Sequence, residues 1–146
     1  MFILSACIGV LSAMALTALV IGARLAPTKP PDFGGSLNAL SIVAAILFGL
    51  ITCCWGTWEV FGSLSGARMA VDYPVRFVLW LGAGLADSAT GLALLALAGV
   101  AVAIMSAPTE KKEGLVRLRA RVAPVLLLVA AAQVFSAIAY AVMNFI

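Results

Sequence analysis

The chain contains no histidine. That removes the commonest general base, the commonest transition-metal ligand and the usual axial ligand of a membrane haem. Charge is scarce too: only 10% of the 146 residues are Asp, Glu, Lys or Arg, against about 25% in soluble domains. Cysteine is limited to Cys7, Cys53 and Cys54, all in apolar runs and none in C-x-x-C spacing. The usual zinc and dithiol motifs are therefore missing, and the three read as buried, inert thiols. There is no Gly-rich phosphate loop, no carboxylate pair within one apolar segment and no carboxylate metal motif. The expectation is a protein that is not an enzyme and uses no metal or cofactor. A net charge of +3 is too small and too localised to argue for nucleic acid.

Apolar residues are what the chain has in excess, at 64%, where soluble domains average about 45–50%. So short a chain cannot hide that surface in its own core. Lipid is the solvent in which it is favourable. A spanning helix needs about 20 mostly apolar residues, and four stretches qualify: 2–23, 37–61, 77–105 and 122–146. The expected fold is all-α, a four-helix transmembrane bundle forming one domain over residues 1–146. The first stretch has no basic segment before its apolar run, so it reads as an uncleaved helix rather than a signal peptide. The links are short. Ala26 to Pro31 with Gly34 and Gly35 breaks helix, and Gly62 to Pro74 is the second link, with Pro74 suited to a first helical turn. Ala107-Pro108-Thr109 opens the third. From Lys111 to Arg121 basic residues alternate with Leu115, Val116 and Leu118, which predicts a helical extension of the fourth span against the lipid headgroups.

Lys and Arg set the orientation. The first and third links hold Arg24, Lys29, Lys111, Lys112, Arg117, Arg119 and Arg121, whereas the second holds only Arg68 and Arg76. Positive residues stay in the cytoplasm. The first and third links are therefore expected inside, and both termini outside. Trp55, Trp58, Phe61, Tyr73, Phe77 and Trp80 flank the second link, as an outer aromatic belt would. The expected location is a bacterial inner (cytoplasmic) membrane, crossed several times.

Asp87 is the most informative residue, about ten positions into the third span. A carboxylate near a helix centre costs about 2.5–3.5 kcal/mol on insertion scales, so it should face protein or water. Ala83 and Gly84 lie one turn before it, Thr90 and Gly91 one turn after, and such small residues admit a second backbone. Ser88 or Thr90 is placed to donate to it. Two readings stand: a proton- or ion-handling carboxyl, or a hydrogen-bonded packing residue. Glu59 and Arg76, near the outer ends of their spans, are placed to pair across the hairpin. Gln133, Ser136, Tyr140 and Asn144 make a polar lane on the fourth span, expected to be an interhelical seam. Ser5, Gly9 and Ala13 recur at four-residue spacing as another close-packing face.

Within residues 49–92 the order Gly49-Leu50, Thr52-Cys53, Gly56, Phe61, then Ser88 followed by Gly91-Leu92, resembles the MotA/TolQ/ExbB family of proton-channel and stator subunits. In that family a Gly-Thr pair stands where Thr52-Cys53 stands here, and a large cytoplasmic portion is present that this chain lacks. The resemblance implies that Cys53 and Ser88 face a channel interior and that a partner supplies the proton-carrying Asp.

The residues together favour a non-catalytic subunit of a larger membrane assembly, whose partners are lipid and other membrane subunits or further copies of itself. The alternative is a proton channel or stator-type subunit.

Overall fold

The computed structural model describes residues 36–143, Phe145, and the positions Ile3, Leu4, Cys7, Gly9, Val10, Leu11 and Met14. The described residues are almost entirely helical, with no strand among them. Helix α1 runs Ser36–Ser65, the short α2 Ala67–Asp72, α3 Pro74–Ser106 and α4 Thr109–Met143. Segments Ile42–Ser65, Pro74–Ser106 and Pro124–Met143 are long and apolar enough to cross a membrane. These correspond to the second, third and fourth expected spans. The first expected span lies mostly outside the described residues, as do Ser5, Ala13, Asn144 and the link from Arg24 to Gly35. The seven described positions from 3 to 14 are helical.

Local chemistry sets the boundaries. Pro74 opens α3, where its missing N–H is no loss, and the Phe77 N–H closes the first turn on the Tyr73 carbonyl at 3.0 Å. At the other end Ala107 adopts φ −76°, ψ 144°, the extended region favoured before a proline. Pro108 ends the helix, and α4 begins at once with the Lys111 N–H on the Pro108 carbonyl at 2.9 Å. The basic stretch Lys111–Arg121 is the first part of α4, continuous with the apolar segment. Pro124 marks the change from one to the other and interrupts the bond ladder without ending the helix.

Helix α3 is central: it packs extensively on α1 and then on α4, while α1 and α4 make no close backbone approach to each other. Large apolar side chains face outward on all three, among them Leu47, Leu50 and Ile51 on α1, Leu85 and Leu92 on α3, and Leu128, Phe135 and Ile138 on α4. In water this surface would drive aggregation; in lipid it is solvated. Hydroxyls on α1 and α3 turn back on their own helix: Thr52 donates to the Phe48 carbonyl at 2.7 Å, Thr57 to Cys53 at 2.7 Å and Ser106 to Val102 at 2.7 Å. Each proton thus has an acceptor on its own helix, as an apolar medium demands. At the end of the α1–α3 hairpin Trp58, Phe61 and Tyr73 are exposed.

Candidate functional site

Asp87 is fully buried between α3 and α4. The helical period places it on the same face of α3 as Ala83, Thr90 and Leu94, all buried. On α4 the buried positions Gln133, Ser136 and Tyr140 follow the same rule and meet it. Gln133 Nε2 donates to Asp87 Oδ1. Ser136 Oγ lies 3.2 Å from the same oxygen, and Tyr140 OH donates to Oδ2 at 3.2 Å. Thr90 Oγ1 lies 2.7 Å from Gln133 Oε1 and 2.9 Å from the Ala86 carbonyl, and its one proton serves one of these at a time. Both faces of the Gln133 amide are thus engaged. Asp87 receives three donors, all from a single neighbouring helix.

Apolar clusters close this network at both ends. On one side Ala93 and Leu94 pack against Leu126 and Ala130, with Leu97, Leu127 and Val129 around them. On the other Ala83 packs with the Tyr140 ring and Met143, with Leu79 and Trp80 alongside. The amino-terminal segment adds a lid at one point. Gly9 is buried, and a Cβ there would lie 2.7 Å from Gln133 Nε2 and 3.8 Å from Asp87 Oδ1. Glycine is what lets that backbone reach the amide.

The expected donors to Asp87 were Ser88 or Thr90. The structure gives that task to α4 instead, because Asp87, Thr90 and the α4 lane share one face while Ser88 is turned toward α1. There it faces Gly56, whose Cβ would fall 2.6 Å from Ser88 Oγ and 2.6 Å from the Gly84 carbonyl oxygen. Cys53 lies under Gly91, where a Cβ would come 2.7 Å from the Cys53 Cα. A Cβ on Gly84 would lie 2.9 Å from Glu59 Cβ and from the Val60 nitrogen. Gly84, Ser88 and Gly91 therefore belong to a second seam, between α3 and α1, and Cys53 sits in it.

Glu59 is 1% exposed and faces the interior next to Gly84. Arg76, its expected partner, donates from Nη2 to the Met143 carbonyl at 3.2 Å, placing a cation on the carboxy-terminal end of α4, where the helix dipole favours it. That bond leaves no sequence signal, since a carbonyl belongs to every residue. Among the described residues no three His, Cys, Asp or Glu side chains come together as a metal site.

No family model matches the chain, and neither does any curated protein or solved structure.

Proposed function

We propose that the protein is a non-catalytic integral membrane subunit of a larger membrane assembly, a four-span bundle of the bacterial cytoplasmic membrane with both termini outside. One observation carries this reading. Among the described residues, the polar cluster inside the α3–α4 seam is satisfied within the chain and closed at both ends by apolar side chains. Such a cluster orients helices and offers no open path to a substrate. What remains for interaction is the outward apolar surface, suited to lipid and to neighbouring helices. Purification in mild detergent followed by mass spectrometry tests it. Foreign subunits in fixed ratio are the expected result, and a strictly monomeric protein would overturn it.

A second reading, a proton-channel or stator-type subunit of the MotA/TolQ/ExbB kind, is favoured by one specific feature. Two carboxyls, Asp87 and Glu59, stand at 0% and 1% exposure inside apolar helices, and intramembrane carboxyls mark proton relays. A pure homo-oligomer in the same purification would support it.

A further inference from the structure

The turn between α3 and α4 holds an arrangement that neither seam uses. Helix α4 has 35 residues, about 52 Å at 1.5 Å per residue, against a hydrocarbon core of about 30 Å. Its apolar segment begins only at Pro124. The helical stretch before it carries Lys111, Lys112, Arg117, Arg119 and Arg121, with Glu110 and Glu113 as the nearby acids. Arg117 pairs with Glu113 at 3.3 Å, while Lys111, Lys112, Arg119 and Arg121 enter no ion pair among the described residues. Arg119, on the same helical stripe as Lys111 and Leu115, also keeps its Nε without an acceptor among them.

An open groove of about 630 Å³ runs along this stretch, within the range of ligand-sized clefts, about 300–1,000 Å³. Its walls are Ala103, Ala107 and Pro108 on one side and Leu115 and Leu118 on the other, with Lys111 as its one cation. Gly114 lines it, and the space beside it is open, since a Cβ there would meet nothing within 4 Å. Glycine is unfavourable in a helix interior, and no protein contact requires it here. The groove continues into the exposed side chains of Leu118 and Val122, toward the apolar segment.

An apolar trough with a lysine in its lining near the turn has the polarity of an anionic amphiphile. We propose that it binds one anionic phospholipid, with the phosphate against Lys111 near the amino-terminal end of α4 and an acyl chain along Ala103, Leu115 and Leu118. A soluble anion would leave the apolar walls unused, and a neutral lipid would leave Lys111 unused. The inference is independent of whether the protein has partner subunits.

The test uses the full chain, delipidated in detergent, with bound lipid counted by native mass spectrometry. Phosphatidylglycerol should be retained and phosphatidylcholine should not. A cation near an anionic headgroup contributes about 1 kcal/mol, a factor of about five, so Lys111→Gln should weaken phosphatidylglycerol binding by about five-fold. Gly114→Phe keeps every charge and fills the trough, and should abolish retention in a protein that is otherwise intact by circular dichroism. Arg117→Gln, which removes a cation already paired, should change little. Equal retention of both lipids would overturn the proposal. So would undiminished phosphatidylglycerol on Gly114→Phe, which would mean diffuse surface charge, or full displacement by millimolar inorganic phosphate, which would mean a site for the anion alone.

Discussion

Toward α1, helix α3 presents Gly84, Ser88 and Gly91; toward α4, it presents Ala83, Asp87 and Thr90. The first face lets two backbones meet. The second joins side chains of opposite hydrogen-bonding character. Between helices in lipid there is no hydrophobic drive to associate, since lipid tails are as apolar as leucine. Contact must come from close van der Waals approach or from polar bonds, and this protein uses one on each side of a single helix. The glycine seam is intolerant of added volume. The polar seam is intolerant of lost acceptors but should accept an isosteric replacement.

The largest expected effect is on the glycine side. Gly91→Leu would drive its Cβ into the Cys53 backbone, with atoms 2.7 Å away that cannot swing aside. We expect a loss of about 3 kcal/mol, the upper part of the usual range for overpacking, read as a lower unfolding temperature in detergent. Gly82→Leu, at a position where a Cβ meets nothing within 4 Å, should be close to wild type. Equal behaviour of the two variants would mean that α1 and α3 are not in contact as described.

Next comes Asp87→Leu. It strips the acceptor from Gln133, Ser136 and Tyr140 together. Interhelical bonds in membrane proteins average about 0.6 kcal/mol each, so the loss should be about 2 kcal/mol. Gln133→Leu should be no worse than this, and the double variant should cost less than the sum, because the two share one bond. Strict additivity would remove the bond between them.

A smaller effect, about 1 kcal/mol, is expected for Gly9→Ala. The one tight contact its Cβ would make is with the end of a flexible side chain, Gln133 Nε2, at 2.7 Å. The amide can yield, but it must loosen its bond to Asp87 to do so. Stability equal to wild type would place the amino-terminal segment away from this seam.

The two seams were not equally legible. Gly84 and Gly91 were readable as packing residues from spacing alone, and so was the lane of Gln133, Ser136 and Tyr140, because helical period fixes which residues share a face. Asp87 stood out by its position. Its partners did not, since period says which side chains align on one helix but not how one helix is rotated and shifted against the next. A shared sequence neighbourhood made Ser88 and Thr90 attractive donors, yet consecutive residues on a helix point about 100° apart, and Asp87 and Ser88 serve different seams. The Arg76 bond to a backbone carbonyl had no signal to find. The apolar segments themselves were the most legible feature, being a matter of length and composition.

The smallest expected effect on stability is also the one that separates the two functional readings. Asp87→Asn keeps an oxygen at Oδ1, where Gln133 and Ser136 approach, and replaces Oδ2 by an amide group. Tyr140 must then accept where it had donated. A hydroxyl can do either, so the exchange turns one bond around and keeps a partner on the tyrosine oxygen. We expect a loss of well under 1 kcal/mol, below the cost of an unmade buried bond. The same variant cannot carry a proton. If Asp87 orients helices, Asp87→Asn protein should fold, keep its partners and leave any proton flux of reconstituted vesicles at the wild-type level. If Asp87 belongs to a relay with Glu59, the folded variant should lose flux that wild type shows. Proton flux and unfolding temperature measured on one preparation keep the two outcomes apart: a fall in flux at constant stability would remove the purely structural reading of this seam, and constant flux at constant stability would remove Asp87 from any conducting path.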